Sequence, residues 1–253
     1  MGRAMSLRYN ENYAIRIEPT ISDDRPLGLD KFELWNFTNK VDGMTNIKNY
    51  IKEPKYNYNP NIYVPDSCFI GFWQSEKYFS DYSIVIKKDF QLKPEFISPR
   101  IINNLSFLGN INNSVGVHFR RGDYVDSTHL STLPLSYYYD ALDVLESKIG
   151  KFTIFIFSDD IKWTKKNFRY TKYPINYISE EDAILINKNA YEDLWLMKHC
   201  KHNIISNSTF AWWGAWLNEN PEKIVISPRR WFYEDSRNNV DRRDITPQSW
   251  VVV

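Results

Sequence analysis

Between Ser114 and Ser227, five short apolar runs alternate with four stretches whose apolar residues fall at helical spacing. No other feature of the chain limits its fold so tightly. The second run, FTIFIF at Phe152–Phe157, places apolar side chains on both alternating faces, as a strand covered on both sides requires. A strand, a helix and another strand in quick succession form a crossover, which leaves the two strands parallel. The first run is Val115, Val117 and Phe119; the third, fourth and fifth are Ile175–Ile178, Asn203–Ser206 and Lys223–Ser227. The helices between them are read as Pro134–Ile149, opened by Thr132 or Pro134 and stopped by Gly150, then Asp160–Phe168, Ala190–Cys200 and Ser208–Asn218. In the third of these, Tyr191, Leu194, Trp195 and Lys198 mark the stripe. The expected fold class is therefore α/β, with an open, Rossmann-like, mostly parallel sheet in the C-terminal part. The first hundred residues are rich in Asn, Lys and Tyr and lack this regularity. With the change falling near Pro94–Arg100, two domains are expected, 1–98 and 99–253.

In open α/β sheets ligands bind beyond the carboxyl ends of the strands. Those ends carry Arg120, Arg121 and Asp123; Ser158, Asp159 and Asp160; Ser179 to Asp182; Asn207, Ser208 and Thr209; and Arg229 and Arg230. The planar guanidinium fork matches a pair of phosphate oxygens, so adjacent arginines at a strand mouth suit a diphosphate; surface pairing with nearby acids is the plainer alternative. At the fourth strand end, Asn207 or Ser208 is placed to cap a helix whose free N–H groups form a second anion site. An ordinary helix cap explains the same residues.

The totals narrow the choice. Lys and Arg number 32 against 31 Asp and Glu, so no general positive field draws the chain to nucleic acid or anionic lipid. No stretch approaches the ~18 apolar residues of a membrane span, and MGRAMSLRYN lacks a signal peptide's apolar core; a cytoplasmic protein is expected. The four Asn-x-Ser/Thr sequons carry no weight without a secretion signal. Cys68 and Cys200 read as buried free thiols rather than a disulfide or zinc pair. Lys198 and Lys201 beside His199 and His202 argue against a metal site there. Trp212 and Trp216, at i and i+4, read as one packing face, with sugar stacking as the alternative. The Arg121-Gly122-Asp123 adhesion tripeptide follows a buried strand and is taken as chance. Neither a G-x-G-x-x-G turn nor a Walker lysine loop is present.

HFRRGDY (His118–Tyr124), FSDD (Phe157–Asp160), EDLWLMKHCKHNIISNSTFAWWGAWL (Glu192–Leu217) and ISPRRWF (Ile226–Phe232), preceded by GFWQSEKYF (Gly71–Phe79), resemble the α-1,2-fucosyltransferases of glycosyltransferase family 11, over residues 65 to 250. The resemblance implies a GT-B-like fold with a smaller N-terminal α/β domain on the acceptor side. It implies inverting transfer of L-fucose from GDP-fucose to a galactose 2-hydroxyl, with no metal or other cofactor. Carried over by position, His118, Arg120, Arg121 and Asp123 would meet the nucleotide and its phosphates. Asp193 and Asn207, Ser208, Thr209 and Phe210 match positions used for guanine and phosphate. Arg121 and Asp123 are the expected catalytic residues, Asp123 as base with Glu180, Glu181 and Asp182 behind it. Family members begin with a glycine-rich segment that is absent here, and Met5–Glu18 resembles the stretch immediately after that segment, so a late start within the first helix is expected. Two other readings stand beside transfer: a metal-dependent glycosyltransferase with a divalent ion on Asp159 and Asp160, and a non-catalytic carbohydrate- or nucleotide-binding protein that keeps the fold.

Overall fold

The computed structural model describes residues 1–10, 14–15, 28–34, 39–40, 49–53, 57–62, 64, 67–128, 130–179, 190–232 and 243–253. Glu180, Glu181, Asp182 and His129 lie outside these. The described residues form two compact units. One runs to Lys93 and takes in 243–248; the other comprises 94–232 and Ser249–Val253. The division expected from sequence falls between 98 and 99.

The first unit holds helix α1 (Gly2–Tyr9), the short parallel ladders β1 (Ala14–Ile15) with β2 (Asn39–Lys40) and β3 (Asn49–Lys52) with β4 (Ser67–Ile70), and helix α2 (Ser83–Asp89). After β4 the chain turns through Gly71–Gln74, where the Glu53 carboxylate accepts the Phe72 N–H at 2.7 Å and the Gln74 N–H at 3.3 Å. Residues 243–248 join this unit through Asp244, which accepts the Tyr58 N–H at 2.9 Å and pairs with Lys77.

The second unit is the α/β sheet. Its elements are α3 (Pro99–Gly109), β5 (Ser114–Phe119), α4 (Leu135–Ile149), β6 (Thr153–Ser158), α5 (Ile161–Asn167), β7 (Ile175–Tyr177), α6 (Ala190–Lys198), β8 (His202–Ile204), α7 (Thr209–Leu217), β9 (Val225–Ser227) and β10 (Val251–Val252). All six strands are parallel, in the order β10-β9-β8-β5-β6-β7. Every expected strand and helix is present to within a few residues, and the expected Rossmann-like parallel sheet is observed. β10 is an addition, too short to be read from the sequence. Gly150 ends α4 at φ +69°, which a side chain would resist.

Burial follows the pattern. All six residues of β5 are buried, as is β6 from Ile154 onward. The α4 stripe of Tyr137, Tyr138, Ala141, Leu142 and Leu145 closes over the sheet, with Tyr138 stacked 3.9 Å from Phe119. Trp212 and Trp216 lie parallel, 6.2 Å apart and buried, with Trp250 5.5 Å from Trp212, so these rings are packing material. His199 and His202 each engage the backbone through Nδ1. His202 Nδ1 accepts the Ile224 N–H at 3.1 Å, and His199 Nδ1 lies 2.6 Å from Trp195 O. Cys200 is buried, and burial pushes its thiol pKa far up; Cys68 is half-buried and likewise free. No described helix is long and apolar enough to cross a membrane.

Candidate functional site

Strand order places the site. From β5 the sheet grows one way through β6 and β7, and the other way through β8, β9 and β10. The order therefore reverses at the β5/β8 boundary, and a crevice opens at such a switch point beyond the strand ends. The end of β5 delivers Arg120 and Arg121; the end of β8 delivers Ser206, Asn207 and Ser208 just before α7.

Arg121 is held three ways. Its guanidinium carbon lies 3.5 Å from the centroid of the Trp163 ring, Nε is 3.3 Å from Asp160 Oδ2, and its backbone N–H donates to Asp159 Oδ1 at 2.8 Å. Asp160 also caps α5, accepting the Trp163 N–H at 3.0 Å, so one carboxylate sets both the arginine and the ring beneath it. Stacking and a single Nε contact leave the two terminal nitrogens of Arg121 without a partner among the described residues. Those four N–H donors suit phosphate oxygens.

Arg120 is more fully engaged. It pairs with Asp123, and its Nη1 lies 2.8 Å from Asp159 Oδ2, a close ion contact poorly aligned for a hydrogen bond. Its guanidinium sits 5.0 Å from the Tyr124 ring, whose hydroxyl donates to Asn207 O at 3.2 Å. The arginine turn is thus tied to the residues before α7. Burial raises the Asp159 pKa, while Arg120 and the Arg121 N–H favour its charged form. Asp159 and Asp160 are therefore counter-ions of the two arginines rather than a free dicarboxylate.

The Gly122 Cα faces Asp159. A β-carbon there would lie 2.6 Å from Asp159 Oδ2, inside any real contact distance, so the turn accommodates this carboxylate because residue 122 has no side chain.

His118 is buried at the end of β5, with Nδ1 2.8 Å from Ser206 Oγ and its ring 5.4 Å from Phe210. Burial, with Arg120 nearby, brings its pKa down to about 3. The ring is neutral at physiological pH and supplies a hydrogen-bonding edge, not a positive charge. We expect the His118 ring resonances to stay constant between pH 5 and 8 in an NMR titration; an inflection near the ordinary histidine value of ~6.5 would show a charged, solvated ring.

Ser208 precedes helix α7 as its cap residue, but the expected side-chain cap is not formed. The Ser208 hydroxyl makes no capping bond, and Asn207 uses its amide nitrogen to bridge Ser131 O at 3.0 Å and Trp231 O at 3.1 Å. Asn207 therefore ties two loops together instead of closing the helix. The helical ladder starts with Trp212 donating to Ser208 O at 2.9 Å, so the N–H groups of Thr209, Phe210 and Ala211 have no intrahelical acceptor. Asn207 Oδ1 is buried and unpartnered among the described residues, while Thr209 is exposed. Uncapped donors and a helix dipole together favour an anion.

Asp193 stands apart from the arginine turn. It lies in the first turn of α6, with Oδ1 2.5 Å from Arg100 Nη2 and Oδ2 accepting the Ser179 hydroxyl. Arg100 also meets Glu192 Oε2 at 2.8 Å and Ile178 O at 2.9 Å. Burial raises the Asp193 pKa; Arg100 and Ser179 work against that. Arg100 is not among the residues expected at the site. The signal for it is the adjacent acids Glu192 and Asp193 on a helix that packs into the sheet, since buried carboxylates require a cation. Arg229 and Arg230, by contrast, are exposed at the end of β9.

The sequence profile of glycosyl transferase family 11 matches residues 45–253. The O-antigen biosynthesis glycosyltransferase WbnK of Escherichia coli is 33% identical over 230 residues, 85% of this chain and 71% of the relative. An alpha-1,2-colitosyltransferase of Escherichia coli is 37% identical over 193 residues, 72% of this chain and 61% of the relative. A galactoside alpha-(1,2)-fucosyltransferase of Bos taurus is 26% identical over 161 residues, 58% of this chain and 42% of the relative.

Proposed function

The chain belongs to glycosyl transferase family 11, and from that premise we propose that it moves L-fucose from GDP-fucose to the 2-hydroxyl of a galactose-containing glycan, with inversion and without a metal. The observation that carries this reading is the Arg121 guanidinium, stacked on Trp163 with its terminal nitrogens unengaged by any described residue, at the same sheet boundary as the start of α7, which Ser208 leaves without a side-chain cap. Together they are suited to a diphosphate.

In the proposed reaction the anomeric carbon parts from GDP as the acceptor oxygen attacks the opposite face, through a transition state resembling an oxocarbenium ion. Negative charge grows on the departing diphosphate. Arg121 and the α7 N–H groups meet that charge, and Arg120 supports it from the Asp159 side. Fixed donors of this kind contribute roughly 3 kcal/mol each to transition-state stabilisation. His118, being neutral, gives the nucleotide a hydrogen bond at most. Three carboxylates stand at the β5 and β6 ends, with side-chain exposures of 46% for Asp123, 17% for Asp159 and 25% for Asp160. The most exposed is the one an incoming hydroxyl reaches most readily, so Asp123 is proposed to take the acceptor proton, though it must share its charge with Arg120.

The colitosyltransferase relative supports a second donor. Colitose is L-fucose without its 3-hydroxyl, so either sugar could follow the same diphosphate into the site. Assaying transfer from GDP-fucose and GDP-colitose to a panel of β-galactosides, with excess chelator, tests the reading. We expect fucose to be transferred at full rate in chelator. Activity that vanishes and returns with a divalent ion would move Asp159 and Asp160 to a metal-holding role; no transfer of either sugar, with glycan binding intact, would favour a non-catalytic binding protein.

A further inference from the structure

We infer that a cavity in the first unit is a binding site for an acidic sugar, a hexuronic acid residue of a glycan. The inference does not depend on which sugar the chain transfers.

The cavity has a volume of about 410 Å³ and is lined by Asn57, Tyr58, Lys77, Arg243, Asp244 and Gln248. All six belong to the first unit. The volume falls within the ~300–1,000 Å³ of small-molecule sites, whose walls are mostly apolar. Here one ring, that of Tyr58, stands among two amides, two cations and a carboxylate. Amides donate and accept, as sugar hydroxyls do, and the excess of one positive charge favours an anion. Inorganic phosphate would satisfy the cations but make little use of the ring and the amides. A pyranose that bears a carboxylate uses all of them.

The polar groups are open to a ligand. Lys77 Nζ gives one of its three N–H donors to Asp244, and the other two have no acceptor among the described residues. The Gln248 side chain makes no hydrogen bond among the described residues. The Lys77 side chain is 45% exposed, and Arg243 and Gln248 are exposed as well.

The walls are also fixed in advance. Tyr78 is buried behind them, its hydroxyl donating to Asn57 O at 3.0 Å and accepting the Asn59 N–H at 3.1 Å. Its ring meets Tyr58 edge-on at 4.9 Å and Trp73 at 5.4 Å. Trp73 holds φ +51°, a conformation that bulky residues seldom adopt. Asp244 accepts the Tyr58 N–H and pairs with Lys77, so it joins the three stretches of chain that line the cavity. Walls held in this way lower the ordering cost of binding.

The test uses the full chain and two probes measured by calorimetry: trigalacturonate, and galactotriose, in which each carboxylate is replaced by a hydroxymethyl group. The wild-type chain should prefer the acid by about tenfold or more, the value of a hydrogen bond to a charged group. In Lys77→Met, which keeps most of the stem and removes the charge, that preference should fall to within about threefold. Gln248→Ala, at an exposed position without bonds of its own, should weaken both probes by about fivefold. Arg121 lies in the second unit and lines no part of the cavity, so Arg121→Ala should bind trigalacturonate within about twofold of wild type. If Lys77→Met does not fold by circular dichroism, Arg243→Gln, at an exposed position, carries the charge part of the test. A wild-type chain that binds neither probe, or both equally, overturns the inference, as does a folded charge variant that keeps the full preference. Loss of trigalacturonate binding in Arg121→Ala, or its displacement by pyrophosphate, also overturns it, because the acid is then held at the arginine turn.

Discussion

Replacing Arg121 with alanine is expected to lower the transfer rate by about a thousandfold or more, with the chain still folded. Two losses combine. The variant gives up the terminal donors proposed to meet the leaving diphosphate, and it strips Trp163 and Asp160 of the group they hold. The cost to stability is small by comparison, on the order of 1–2 kcal/mol for a partly buried cation–π stack, which leaves a folded protein in which to measure turnover. Arg121→Lys separates the contributions. An ammonium keeps the charge but neither stacks as a plane nor offers a fork, so it should recover a minor part of the activity. Steady-state kinetics with GDP-fucose, alongside a melting curve, decides the matter; near-normal turnover by a folded Arg121→Ala chain would sink the assignment.

Gly122→Ala is expected to lower turnover by about a hundredfold without touching a proposed substrate contact. The new methyl would take up space that Asp159 occupies, and this carboxylate cannot move without breaking both its hydrogen bond from the Arg121 N–H and its ion contact with Arg120. A shift of about 1 Å in the arginines is enough to cost that factor, because the diphosphate must be met at fixed points. Relieving the crowding from the other side is the control. Asp159→Ala makes room for the methyl, so the double variant should be less impaired than the sum of the two singles predicts. Strict additivity would mean that the glycine matters for some reason other than this contact.

What is legible in the sequence and what is not divides along physical lines. The elements from Ser114 onward are readable because each has a complete local signature: β5 and β6 are buried on both faces, and Gly150 stops α4 where a left-handed residue is needed. The first unit offers no comparable pattern. Its ladders are two to four residues long, and β3 shows an exposure pattern without alternation, so no period exists to be read. β10 takes its place from pairing with β9 rather than from any preference of two valines. Within the site, the arginines and the Asn207–Phe210 turn stand out because strand ends are where ligands bind. The helix cap departs from expectation because the Asn207 side chain is oriented by its Nδ2 bonds to the Ser131 and Trp231 carbonyls, neither near it in sequence, with its Oδ1 bonded to no α7 N–H. Arg100 is hidden for the same reason, with 93 residues separating it from Asp193.

The two cysteines divide the molecule for chemistry as well as for packing. Cys200 lies behind the sheet with its thiol held in the protonated, unreactive form, while Cys68 sits half-buried on β4 of the first unit. Thiol reagents act through the thiolate and need access, so under native conditions a maleimide dye goes to Cys68 and spares Cys200. The wild-type sequence thus carries its own single labelling position. A fluorophore placed there reports from the first unit, so its response to a nucleotide or a glycan can be followed without substituting any residue.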